Sequence, residues 1–175
     1  MRRFDVLINR QLRTTHIGSQ LVRAGAFAVA LAAATVGAPQ FAAAQSAAEG
    51  RITVASGKSF EQVSSAIASL VAKNGMMVMA QVDQGKMLSM AGLALKSTLF
   101  LVGNPTVGKD LFEQNHAVGL YVPLRIAVYA DTNGKTYVQY DKPSALLGQF
   151  NNEKIAMIAH MLDEKIGGLA TMAAR

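Results

Sequence analysis

Between Arg51 and Arg175 the apolar positions change period repeatedly, and each change marks an element. Arg51 to Ser56 (RITVAS) alternates and predicts a strand. Ser59 and Gln62 have the spacing of a capping box, so a helix opens at Ser59. Its buried stripe is Val63, Ile67, Leu70 and Val71, and Asn74-Gly75 ends it. Met76 to Asp83 (MMVMAQVD) is a second strand, and Lys86 to Ala94 a short helix or turn. Ser97 to Val102 (STLFLV) is continuously apolar between Lys96 and Gly103, which predicts a central strand covered on at least one face. Gly103-Asn104-Pro105 makes a sharp loop, and Pro105 suits the first position of a helix running to about Asn115. Leu124–Ala130 and Lys135–Asp141 flank Asp131-Thr132-Asn133-Gly134. That Asn-Gly predicts a tight hairpin with positive φ at both central residues. Pro143 to Leu147 is a brief helical turn. Asn151 or Asn152 starts a last helix, with Ile155, Ile158, Ala159, Leu162, Ile166 and Leu169 on one face.

The order is β-α-β-β-β-β-α. It predicts an α+β fold with two helices packed on one face of a mainly antiparallel sheet. The other face must be polar, or be covered by a partner or by the short connecting helices. No internal repeat interrupts residues 51–175, which form a single domain behind a flexible tail, residues 45–50.

The pattern ahead of that tail belongs to a different class. Ala24 to Ala38 (AGAFAVALAAATVGA) is uncharged, and Arg2, Arg3, Arg10, Arg13 and Arg23 precede it against one acid, Asp5. Ala42-Ala43-Ala44 supplies the small residues a signal peptidase reads, with Ser46-Ala47-Ala48 as a second choice. Residues 1–44 are expected to be a secretory signal and the protein to be periplasmic or secreted. The apolar run falls short of the roughly 20 residues that span a bilayer, so no stable membrane span is expected after cleavage. Arg2-Arg3 lies too far from the apolar run for twin-arginine export.

This segment changes the charge picture. The whole chain has 17 Lys and Arg against 11 Asp and Glu, a net of +6. Residues 45–175 retain 12 against 10, too little for a nucleic-acid face. The chain has no cysteine, which excludes disulfides, thiolate metal sites and a thiol nucleophile. With no Trp and four Tyr, a carbohydrate-stacking surface is not expected.

Phe100-Leu101-Val102-Gly103-Asn104-Pro105, then Gly108 and Leu111, then Ala117 through Asp131 (AVGLYVPLRIAVYAD), with Tyr140 and Pro143 behind, form an ordered series. With Phe60-Glu61-Gln62-Val63 and Asn74-Gly75 ahead, it resembles the bacterial domain-of-unknown-function family numbered 302, from about Arg51 to Ala173. The resemblance implies a TATA-binding-protein-like α+β fold and no assigned chemistry; the fold name carries no DNA function. Two positions depart from the family pattern. His116 follows Asn115 where Pro is expected, and Ala130 stands where an acidic residue is common.

Candidate chemistry is sparse. Met157, His160 and Met161 span roughly 100° of one side of the last helix, away from its apolar stripe. Thioethers beside an imidazole are a soft donor set suited to Cu(I), and the competing reading is simple packing and solvation. Asp110, Glu113 and His116 are a second metal candidate at a helix end. Asp83, Asp131 and Asp141 fall at strand ends or turns, where turn chemistry accounts for Asp131 and Asp141. Ser97 and Ser144 lack the context of a nucleophile. Asn104 and Arg125 are the candidate ligand-binding residues, with the Gly103-Asn104-Pro105 amides near them. The leading expectation is an exported, non-catalytic binding or interaction domain with no cofactor. Its partner would be a small ligand or a protein, with a homodimer as a candidate assembly. The alternatives are a soft-metal or small-ligand binding protein, and a small hydrolase or isomerase with a site near Asn104 and Arg125.

Overall fold

A computed structural model describes residues 50–175. The expected signal segment and nearly all of the tail lie outside them. Five strands, β1 (Arg51–Ser56), β2 (Met77–Asp83), β3 (Ser97–Gly103), β4 (Leu124–Ala130) and β5 (Thr136–Asp141), form one sheet in the order β1-β5-β4-β3-β2. Every pairing is antiparallel. Two long helices, α1 (Phe60–Lys73) and α5 (Glu153–Ala174), cover one face. Three short ones, α2 (Gln84–Ser89), α3 (Pro105–Gln114) and α4 (Pro143–Leu147), sit in the connections. The α+β expectation holds.

Local chemistry sets the helix ends. The Ser59 hydroxyl accepts from the Gln62 amide at 3.3 Å while the Gln62 side chain accepts from the Ser59 amide at 3.0 Å, a complete capping box. At the other end Gly75, at φ 69°, lets its own amide reach the Ala72 carbonyl and the Met76 amide reach Val71. These paired bonds satisfy carbonyls the helix leaves open. Asn152 caps α5 through the Ile155 amide, and the Ser56 hydroxyl donates to the Ala174 carbonyl at 2.7 Å.

Burial alternates along β3, β4 and β5, so each strand sends one row inward. Val63, Ile67 and Val71 of α1 and Leu162, Ile166 and Leu169 of α5 close over Phe100, Val102, Ile126, Val128 and Val138. A second, smaller core holds Leu111, Val118, Leu147, Ile155 and Ala159, under α3, α4 and the first half of α5. Val107, Val122 and Ile158 touch both cores.

The outer sheet face has no helix in either core packed on it. Leu99, Leu101 and Ala127 share it with Arg51, Thr53, Arg125, Gln139 and Asp141. Among the described residues it mixes polar and apolar side chains, so it is not the wholly polar face that was one of the expectations.

The β4–β5 turn is wider than its Asn-Gly predicts. Of the two residues only Gly134 takes positive φ, 79°. The Asp131 carboxylate accepts from the Asn133 and Lys135 amides, both at 2.9 Å, and the Gly134 amide donates to the Asp131 carbonyl. The carboxylate organises a longer loop, so Asn133 need not adopt the left-handed conformation. Finally, α2 covers only Gln84–Ser89, and residues 90–96 continue as turn and coil.

Candidate functional site

Among the described residues a partly enclosed concavity lies where the two cores meet, at the start of α3. It is a pocket of about 230 Å³. It is lined by the core residues Met76, Val102, Leu124 and Leu162, by Val107 and Leu111 of α3, and by Val122 and Pro123 ahead of β4. Met79 and Phe112, both partly exposed, also line it. Two glycines, Gly103 and Gly108, belong to the lining as well. A Cβ at Gly108 would meet no atom within 4 Å. A Cβ at Gly103 would come 3.1 Å from the Met79 methyl, so Met79 lies across the space that a side chain there would take.

Asn104 lines this pocket, but its polar atoms are already engaged. The side-chain oxygen accepts from the Thr106 and Val107 amides at 2.8 and 3.2 Å, and the side-chain nitrogen donates to the Gly75 carbonyl at 2.7 Å. It caps α3 and ties that helix start to the exit of α1. Arg125 is elsewhere. It is exposed on the outer sheet face, in a shallow depression with Arg51, Gln139 and Asp141. Side chains alternate between faces along β4, so Leu124 enters the pocket while Arg125 points away. Asn104 and Arg125 therefore do not form one site.

The methionine–histidine group is placed on the outside of α5. Met157 is 68% and Met161 39% exposed, and the His160 side chain is 74% exposed. The nearest acidic partner of His160 is Asp163, at 3.8 Å. That carboxylate already accepts from the Ser144 amide and hydroxyl, holding α4 to α5. At the other candidate, Glu113 pairs with Lys109 at 3.5 Å, and His116 borders the same open depression. Among the described residues no three His, Asp or Glu side chains gather as a metal-binding group.

Four titratable groups are held away from their ordinary values. Hydrogen bonding to Asp141, then its charge, raises Arg51. The hydrogen bond from Lys96 lowers Glu61. Partial burial and then Asp131 raise Tyr137; burial and then Asp163 raise Tyr140. None of the four lines the apolar pocket.

Residues 52–172 match the family model described as "Domain of unknown function DUF302". The chain belongs to the DUF302 family. A DUF302 structure agrees in fold: the crystal structure of the uncharacterized conserved protein DUF302 from Bacillus stearothermophilus superimposes with a TM-score of 0.66. That match has 21% identity and covers 71% of this chain and 98% of that one. Among curated proteins, the fluoride-specific ion channel FluC 1 of Brucella suis biovar 1 (strain 1330) is 33% identical over 98 residues, 55% of this chain and 39% of that protein. FluC 2 of Brucella melitensis biotype 1 matches equally, over 36% of its length. This DUF302 chain therefore spans well under half of the curated relatives it matches. Among its described residues no helix is long and apolar enough to cross a membrane.

Proposed function

We propose that this DUF302 protein is an exported, non-catalytic binding domain whose pocket at the start of α3 takes a small, uncharged, largely apolar molecule. One observation carries the reading: the pocket is lined by aliphatic, thioether and phenyl groups, and its one amide side chain, Asn104, gives its oxygen and one of its two N–H groups to the fold. Ligand sites are typically apolar concavities with a few polar groups that fix orientation. This pocket offers burial with little orientation, which suits a hydrocarbon or aromatic body better than a substrate held for reaction. The separation of Asn104 from Arg125 argues against the hydrolase or isomerase alternative. The outward exposure of Met157 and His160 argues against the copper one. The channel relatives support a setting beside a membrane, where a domain related to this one forms part of a longer protein.

A naphthylamine probe that brightens in apolar surroundings tests the pocket. Gly108→Phe adds a ring where no atom obstructs its Cβ. It should weaken the probe at least about tenfold while leaving the fold as stable or slightly more so, because a helix-interior glycine costs about 0.5–1 kcal/mol. Equal probe affinity in the two proteins would remove the pocket from the reading. Export is tested separately: N-terminal sequencing of the processed protein should begin at Gln45 or a few residues beyond.

A further inference from the structure

We infer that Met79 is the stop that sets how much of a ligand the pocket at the start of α3 holds, and that the limit is about nine carbons of hydrocarbon. This rests on the pocket reading above and names the size class of its ligand.

The backbone aims Met79 at the pocket. Along β2 and β3, Val78 pairs with Val102 and then Ala80 with Leu101. Met79 is the extra residue between them and has no partner of its own across β3. Such a bulge breaks the alternation of faces and re-aims a side chain. Here the side chain comes down on a glycine. A Cβ on Gly103 would lie 3.1 Å from the Met79 methyl, 3.6 Å from its sulfur and 3.8 Å from the Pro123 Cβ. Met79, Gly103 and Pro123 therefore meet at one place on the pocket lining. The thioether covers a floor made of bare glycine backbone and a proline ring.

Exposure orders the pocket from inside to outside. Val102, Leu111, Leu124 and Leu162 are buried, whereas Met79 is 48% and Phe112 40% exposed. Those two stand at the mouth. Phe112 is braced, because a Cβ on Gly119 would come 3.1 and 3.2 Å from two of its ring carbons. Met79 is the adjustable side: methionine is unbranched and turns about three bonds, so it adapts to what it packs on.

Volume sets the number. An apolar cavity of about 150 Å³ takes benzene, with its six carbons. The pocket here is about 230 Å³, and the same ratio gives about nine carbons. Further atoms meet the thioether or stay in water. Truncating Met79 to alanine removes Cγ, Sδ and Cε and bares the floor at Gly103 and Pro123, which leaves room for about three more carbons.

Calorimetric titration with the primary alcohols from hexanol to tridecanol reads the limit. In wild type each added carbon should tighten binding about fourfold, the worth of one buried CH₂. Beyond about nine carbons the gain should fall below about 1.5-fold per carbon. In Met79→Ala the break should move to about twelve carbons, and Met79→Leu, which conserves volume, should keep it at about nine. Gly108→Phe should weaken every alcohol at least about tenfold. A gain that runs unbroken to tridecanol in wild type, or a break at the same length in Met79→Ala, overturns the stop while leaving the pocket as the binding site. Wild type that binds no alcohol, or Gly108→Phe that binds them equally well, overturns the pocket reading and the stop with it.

Discussion

Replacing Asn104 measures how much of the candidate site is scaffold. Asn104→Ala removes the cap of α3, whose oxygen serves the Thr106 and Val107 amides; losing such a cap costs typically about 1 kcal/mol. It also removes the 2.7 Å bond from the side-chain nitrogen to the Gly75 carbonyl, worth about 0.5–1.5 kcal/mol. The sum is roughly 2 kcal/mol. With a urea slope of about 1–3 kcal/mol/M, the unfolding midpoint should fall by roughly 1 M at unchanged slope. Asn104→Ser keeps a capping oxygen and loses the bridge to Gly75. Asn104→Asp also keeps the cap and gains from a negative charge at the helix start, but it sets an acceptor against the Gly75 carbonyl. Both should fall about half as far as Ala. Urea titrations followed by circular dichroism read the series. The same proteins titrated with the naphthylamine probe should show Asn104→Ser binding within about threefold of wild type, since the amide oxygen is fully used and an apolar probe gains little from the one remaining N–H. An unchanged midpoint in Asn104→Ala would refute the reasoning. So would a collapse of probe binding in a fully stable Asn104→Ser, because Asn104 would then be a ligand contact.

Gly134→Val places a β-branched residue at φ 79° with no atom within 4 Å of its Cβ; backbone strain alone should cost about 1–3 kcal/mol, and an unmoved denaturation midpoint would contradict the turn. Burial raises Tyr140, with Asp163 adding to it. Its contribution to stability is therefore complete below the unfolded value, about pH 10, and is lost as pH rises through the higher folded value. Urea midpoints should decline across that alkaline window in wild type and decline less in Tyr140→Phe. Hydrogen bonding to Lys96 lowers Glu61, so its contribution is present above the unfolded value, about pH 4.3, and fades as pH falls through the lower folded one; Glu61→Gln should flatten that acid limb. Wild type and Met157→Leu/Met161→Leu should bind Cu(I) equally weakly in a chelator competition, and stoichiometric binding lost in the double variant would restore the copper reading.

Most of the fold was legible because the elements that bury apolar side chains do so at a clean period. The capping box at Ser59, the Gly75 exit and the stripe from Ile155 to Leu169 all act over a few residues of chain. The β4–β5 turn was misjudged because the Asn-Gly preference competes with a carboxylate three residues before the glycine, and Asp131 prevails. The pairing of Asn104 with Arg125 failed for a different reason. Which face of β4 a residue joins follows from alternation, but which rim the β3–α3 loop closes against depends on packing between distant elements. The pocket was hidden likewise: Met76, Met79, Leu111, Phe112 and Leu162 come from three separate elements and the turn ahead of β2. Gly103 and Gly108 around the Asn-Pro were the available signal, and they read equally well as turn residues.

Two of the places where sequence pattern and burial disagree among the described residues are Gly108 and the loop from Lys86 to Lys96. Gly108 sits inside a helix, where it weakens the helix relative to alanine by about 0.5–1 kcal/mol, and its missing side chain leaves apolar wall unfilled. A larger aliphatic residue would relieve both costs. The loop from Lys86 to Lys96 presents Met and Leu to water although a polar connector would join β2 to β3 as well. Neither feature helps the core: both cores close without the loop, and the Gly108 Cβ position is empty. Local choices that oppose stability without serving the fold are where function is expected to lie. The pocket offers enclosed apolar volume with its one polar side chain committed. The loop offers exposed apolar side chains outside both cores. They are separate surfaces, and a substitution in one should leave the other unchanged.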